Sequence, residues 1–185
     1  ADGDLWVSYS VNKEDMWISR IPVPVEINAS AHADDDFSKN KSIAELTDWN
    51  IYSPVWAPVS LEDQWLKLQD KDPFDYAKVE RKIPASKELK VSFDLKAGQN
   101  NKGTLHIEFL DENGIACSRI ELTDDGIFRL KGGSRFANMM KYEAGKIYHV
   151  EAVLSTVDRN IQVYVDGKRV GLRMFYAPVA AVERI

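Results

Sequence analysis

Apolar and polar side chains alternate along several short stretches of this chain, and that period limits the fold more than any other feature. The clearest stretches are residues 76–83, 89–95 and 105–109. Successive side chains of a strand point to opposite faces, so the alternation predicts strands with one buried and one solvated face. Such strands favour antiparallel pairing. Almost nothing in the chain follows a helical period.

Glycine-containing turns separate many of these stretches. Asn-Gly and Asp-Gly pairs supply the positive φ angles that tight hairpins need. A Pro-flanked strand is predicted at 55–59 and one helical turn at 43–46. The sequence therefore predicts an all-β chain, an antiparallel two-sheet β-sandwich. The turn pairs are Asn113-Gly114, Asp125-Gly126 and Asp166-Gly167.

The first residues predict a separate β-hairpin. Residues 5–11 and 16–21 are rich in aromatic and β-branched types, and the polar turn 12–15 lies between them. Pro22 and Pro24 then remove two backbone donors, which ends regular pairing. We therefore expect a hairpin and connector over 1–27 and a sandwich domain over 28–185, which opens with a polar loop.

Composition excludes several functional classes. The net charge is -5, from 24 Lys and Arg against 29 Asp and Glu, and no basic run occurs, so nucleic acid is not an expected partner. No apolar stretch is long enough to span a bilayer, and no signal peptide is recognised. The lone Cys117 cannot form an intrachain disulfide and is expected to pack as a small apolar residue in a strand.

One run of residues carries a family resemblance. The run 148–153, a turn, and the run 161–168, which reads Ile-Gln-Val-Tyr-Val-Asp-Gly-Lys, resemble the strand-turn-strand pattern of concanavalin-A-like (laminin-G-like) jelly rolls. The resemblance covers about residues 34–185. It implies a jelly-roll topology for the sandwich, and a fold alone does not imply a function.

A second resemblance lies in the hairpin. Residues 6–22 look like the last blade of secreted sialidase-like (BNR) β-propeller proteins, some of which carry a C-terminal jelly roll. The Ser-x-Asp-x-Gly-x-x-Trp repeat of that class is absent. The resemblance implies a piece of a larger glycan-active protein, secreted or periplasmic, with a β-propeller as a neighbouring domain.

Aromatic residues crowd one stretch of the sandwich domain. Exposed rings offer flat surfaces to the CH faces of sugars, so these residues are the candidate carbohydrate-binding site. Because large aromatics are buried on average, core packing is the competing interpretation. The candidates are Trp49, Tyr52, Trp56, Trp65 and Tyr76.

Two acidic clusters are candidates for a structural calcium site. Clustered loop carboxylates can supply several of the oxygens that calcium takes, and jelly rolls of the resembled type often hold this ion. The spacing of an EF-hand is missing, and solvated loops with Asx-turns are the competing interpretation. The clusters are Asp34, Asp35 and Asp36, and Asp70, Asp72 and Asp75.

Three functions follow from these features. The first is a non-catalytic carbohydrate-binding accessory domain of a glycan-degrading protein. The second is a structural domain that packs against a propeller and binds no ligand of its own. The third is a jelly-roll glycoside hydrolase, for which Glu108 with Glu121 and Asp94 with Glu151 are candidate acid pairs. Alternation alone places such acids on a solvated sheet face, so we favour a domain that is not an enzyme.

Overall fold

The computed structural model describes residues 4–11, 15–21, 33–71 and 73–185, and within these ranges the chain is all-β. Its regular elements are strands and one 3-10 turn at Ile43–Glu45, which confirms the predicted helical turn. The strands are β1 Leu5–Val11, β2 Asp15–Ile21, β3 Trp49–Tyr52, β4 Val59–Glu62, β5 Trp65–Leu68, β6 Lys78–Ser86, β7 Glu88–Lys96, β8 Leu105–Leu110, β9 Ala116–Leu122, β10 Ile127–Gly132, β11 Arg135–Lys141, β12 Ile147–Ser155, β13 Asn160–Val165, β14 Lys168–Met174 and β15 Val182–Arg184.

The chain divides into two compact units, and Ala1–Glu80 is the first. It contains the antiparallel hairpin β1–β2, in register from Leu5 opposite Ile21 to Val11 opposite Asp15, as the sequence predicted. It also contains the hairpin β4–β5 and the strand β3.

The predicted strand at 55–59 is wrong. The chain turns there, with Ala57 N donating to Pro54 O at 3.1 Å, and the strand β4 begins only at Val59. Pro54 and Pro58 have no backbone N–H to give to a sheet, so the segment between them closes into a turn. Trp56 lies in that turn.

The second unit, Arg81–Ile185, holds the antiparallel sandwich that the alternation predicted. One of its sheets has the order β11-β10-β9-β8-β15-β6, and the other has the order β14-β13-β12-β7. The inward side chains of both sheets form one core cluster, which includes Phe109, Ile120, Val150 and Ile161. Phe128 lies near its centre, with the rings of Tyr142 and Tyr148 edge-on to it at centroid distances of 5.5 and 5.6 Å.

Turn chemistry and burial follow the sequence closely in this unit. Gly114, Gly126 and Gly167 all have positive φ, as predicted for the Asn-Gly and Asp-Gly pairs. Cys117 is fully buried in β9, and burial raises the pKa of its thiol to about 12. Within the described ranges no helix is long and apolar enough to cross a bilayer.

Candidate functional site

A pair of exposed tyrosine rings in the first unit forms the centre of the candidate site. Tyr52 ends β3, and Tyr76 lies in the loop just before β6. Their ring centroids are 5.5 Å apart at an interplanar angle of 50°. The rings remain 47% and 59% exposed. Two large apolar faces are therefore held side by side in water.

A carboxylate fixes this ring pair. The Tyr52 hydroxyl donates to Asp75 Oδ1 and Oδ2 at 3.0 and 3.1 Å, and the backbone N–H of Tyr76 donates to the same Oδ1 at 2.9 Å. The hydrogen bond to Asp75 raises the pKa of Tyr52, so the phenol stays protonated at neutral pH. The arrangement presents two exposed aromatic rings beside one carboxylate.

Trp56 is a further exposed aromatic residue of this unit. It is 68% exposed, and its backbone carbonyl accepts from Lys71 N at 2.9 Å. That bond ties the Trp56 turn to the loop that leads through Phe74, itself 96% exposed, to Asp75 and Tyr76. Sequence reasoning omitted Phe74, although its position between Pro73 and Asp75 in a polar loop indicated exposure.

The two other predicted aromatics lie differently. Trp49 is half-buried and packs against Phe37 at a centroid distance of 5.8 Å, and its indole N–H has no hydrogen-bond partner among the described residues. Trp65 is half-buried in β5. The exposed rings are thus those of Tyr52, Trp56 and Tyr76. The half-buried side chains of Trp49 and Trp65 contribute more to packing.

The acidic clusters are placed in separate loops. Asp36 accepts from the backbone N–H and the hydroxyl of Ser38 at 3.0 and 2.9 Å, and the backbone bond is the main cause of its lowered pKa. Asp75 accepts hydrogen bonds from the Tyr52 hydroxyl and from the backbone N–H of Tyr76. Asp72 lies outside the described residues. In the described ranges no three acidic, histidine or cysteine side chains come together as metal ligands, and the calcium site stays a prediction.

The four carboxylates proposed for hydrolysis are all held by basic side chains. Glu108 Oε1 lies 2.7 Å from Arg119 Nε, and Glu121 Oε1 lies 3.3 Å from Arg119 Nη1. On the other sheet, Asp94 accepts from His149 at 2.8 Å and Glu151 from Lys90 at 2.7 Å. One Arg119 guanidinium bridges the first pair, so both of its carboxyl groups are engaged by the same cation, whereas a glycosidase needs two carboxyl groups that face the scissile bond of the sugar.

Comparison with known proteins identifies the family. A family model described as "Sialidase-like, CBM domain" matches residues 49–185. The chain belongs to this family, where CBM stands for carbohydrate-binding module. The matched range of the Sialidase-like CBM domain begins at Trp49, the first residue of β3, so it contains all five predicted aromatics. The hairpin and the cluster Asp34 to Asp36 precede it.

A solved structure described as "Sialidase" is similar to nearly the whole chain. The identity is 89% over 99% of this chain, with a TM-score of 0.90, and the chain spans 17% of that protein's length. A native heptameric SAP-like pentraxin from Limulus polyphemus has 24% identity over 56% of this chain and 52% of its own, with a TM-score of 0.41. No curated protein matches the chain.

Proposed function

We propose that this Sialidase-like CBM domain is a non-catalytic carbohydrate-binding domain that contacts sugars through Tyr52, Trp56 and Tyr76. The observation that carries the proposal is the exposed pair of Tyr52 and Tyr76 rings, fixed in water by Asp75. Contiguous exposed apolar patches commonly mark binding sites, and sugars supply the apolar CH faces that aromatic rings bind. Asp75 and its neighbours supply polar groups for the sugar hydroxyls.

The family and the longer relative support an accessory role. The neighbour described as "Sialidase" is several times longer than this chain, which matches only 17% of it. We place any glycan-cleaving reaction of a longer parent protein outside this chain. A secreted or periplasmic location suits such a role, because polymeric glycans are met there.

A glycan array followed by titration tests the proposal. The chain should bind a subset of plant, algal or host glycans, and Trp56→Ala should weaken that binding by about tenfold or more, as for a central aromatic contact. Tyr52→Phe should weaken it less, because the ring stays and only its hydrogen bond to Asp75 is lost.

Trp6→Ala is the matched control. Trp6 in β1 is 63% exposed, close to the 68% of Trp56, but it lies in the hairpin that precedes the family range. Its replacement should leave glycan affinity unchanged. Equal losses in both variants, or none in Trp56→Ala, would refute the assignment of this site.

One observation favours a structural role as the second candidate function. The hairpin exposes large apolar side chains, and a two-stranded ribbon cannot bury them alone. They suit a domain that packs against a neighbour such as a propeller. If the wild-type chain binds no glycan on the array, the result would favour this function over carbohydrate binding. The exposed residues are Leu5, Trp6, Tyr9, Met16 and Ile18.

A further inference from the structure

A row of polar and aromatic side chains crosses four strands of the second unit. Glu108 on β8 is in register with Arg119 on β9, Arg119 with Lys131 on β10, and Lys131 with Phe136 on β11. Neighbours of these residues along the strands, such as Phe109, Ile120 and Leu130, belong to the core, so the row lies on the opposite face of the sheet. We call Arg119, Lys131, Phe136 and Tyr176 the Lys131 surface.

Arg119 forms ion pairs with two acids of this face. Its Nε and Nη2 atoms lie 2.7 and 2.6 Å from Glu108 Oε1, and its Nη1 lies 3.3 Å from Glu121 Oε1. His106 Nε2 lies 3.4 Å from the same Glu121 oxygen. Both carboxylates are therefore in contact with Arg119.

The side-chain contacts of Lys131 among the described residues are with aromatic rings. In the part of the chain that the structure describes, no carboxylate lies within ion-pair distance of its Nζ atom. Two rings flank it instead: the Nζ lies 4.7 Å from the Tyr176 ring centroid and 5.2 Å from that of Phe136. Cation–π contacts orient an ammonium group but leave its charge unneutralised.

The Phe136 and Tyr176 rings lie close to this cation, where a sugar ring could contact them. Phe136 is 44% exposed, and Tyr176 is held against β9 by its backbone N–H, which donates to Cys117 O at 3.0 Å. Burial raises the pKa of Tyr176, so its hydroxyl is protonated at neutral pH. An aromatic face, a hydroxyl and an unneutralised ammonium thus occur together.

We propose that the Lys131 surface binds carboxylated sugars, with Lys131 pairing the carboxylate and the Phe136 and Tyr176 rings contacting the sugar ring. The ligand class rests on the proposed carbohydrate-binding function, but the site uses none of the residues assigned there. A neutral sugar would leave the Lys131 charge unpaired, so the surface should prefer acidic over neutral glycans.

Titration with matched acidic and neutral probes tests this proposal. Sialyllactose is compared with lactose, and trigalacturonate with maltotriose. The wild-type chain should prefer each acidic probe, and Lys131→Met should lower its affinity for them by about tenfold, the loss expected for one charge-assisted hydrogen bond. Lys131→Arg should keep most of the preference, because it keeps the charge.

Lys146→Met is the control. Lys146 Nζ lies 4.9 Å from the Tyr148 ring centroid, so this variant also removes a lysine from a ring contact, but Lys146 lies in the turn between β11 and β12 and not in the row. It should bind like the wild type. An unchanged acidic preference in Lys131→Met, or no acidic preference in the wild type, would overturn the proposal.

The failures of the two proposals are distinguishable. One outcome is that Trp56→Ala loses affinity for the acidic probes and Lys131→Met does not. All binding would then be assigned to the exposed aromatics of the first unit, and the Lys131 site alone would be overturned. The reverse pattern would support the Lys131 site while refuting the assignment to Tyr52, Trp56 and Tyr76. Equal thermal unfolding midpoints of the variants ensure that affinities of folded proteins are compared.

Discussion

At the scale of single residues, the free energy of unfolding is most sensitive to side-chain volume in the core of the sandwich. Phe128 is fully buried between Tyr142 and Tyr148, so Phe128→Ala should lower the free energy of unfolding by about 3–5 kcal/mol. Phe74→Ala removes the same atoms from a 96% exposed ring and should cost less than about 0.5 kcal/mol. Urea unfolding of both variants measures the difference, and similar losses would contradict the packing described for Phe128.

The only cysteine offers a second residue-scale prediction. Burial raises the pKa of the Cys117 thiol to about 12, and the side chain is inaccessible in β9. The thiolate is the reactive form, so a thiol reagent such as DTNB should leave the native protein unmodified and react fully once guanidinium unfolds it. Rapid modification of the native chain would contradict the burial of β9.

At the scale of elements, the β13–β14 hairpin depends on one glycine. Val165 pairs with Lys168, which leaves the two-residue turn Asp166-Gly167 with φ angles of 50° and 76°. Gly167→Ala should destabilise the protein by about 1–2 kcal/mol, since a Cβ is strained in this region. Thermal unfolding measures the loss.

Gly98→Ala is the control for this hairpin. Gly98 has an ordinary φ, and no atom lies within 4 Å of an added Cβ, so the alanine should be neutral or stabilise by about 0.4–1 kcal/mol. Destabilisation of both variants to the same extent would show that the turn conformation is not the cause.

Strands and turns were predictable because their determinants are local. Alternation placed β7 and β8, and the Asp-Gly pairs placed the hairpin turns, since each depends on neighbouring residues. The segment 55–59 has the apolar residues typical of a strand, but Pro54 before it and Pro58 within it lack the backbone N–H that a sheet needs, so it turns. The short strand β15, only Val182–Arg184, carries too few residues for a period to be recognised.

At the scale of the whole molecule, sites are harder to foresee than strands. The sequence pointed to the aromatics between Trp49 and Tyr76 by their density, but it could not separate exposed Tyr52 and Trp56 from half-buried Trp49 and Trp65. The row from Glu108 to Phe136 was missed because it exists only through cross-strand register over four strands. Glu108 and Glu121 instead suggested a hydrolase until Arg119 was found between them.

The two proposed surfaces should give the whole chain two kinds of salt dependence. The net charge is -5, so an acidic ligand is captured only if the local attraction of Lys131 outweighs the weaker long-range repulsion, and the salt dependence then follows that attraction. Between about 0.05 M and about 0.5 M NaCl, screening should weaken the binding of trigalacturonate several-fold. A neutral glycan bound by Tyr52, Trp56 and Tyr76 should keep its affinity, because ring contacts carry no net charge. Titration calorimetry across this series measures both. A salt-independent affinity for trigalacturonate, or one that rises with salt, would mean that Lys131 is not the group that pairs with its carboxylates.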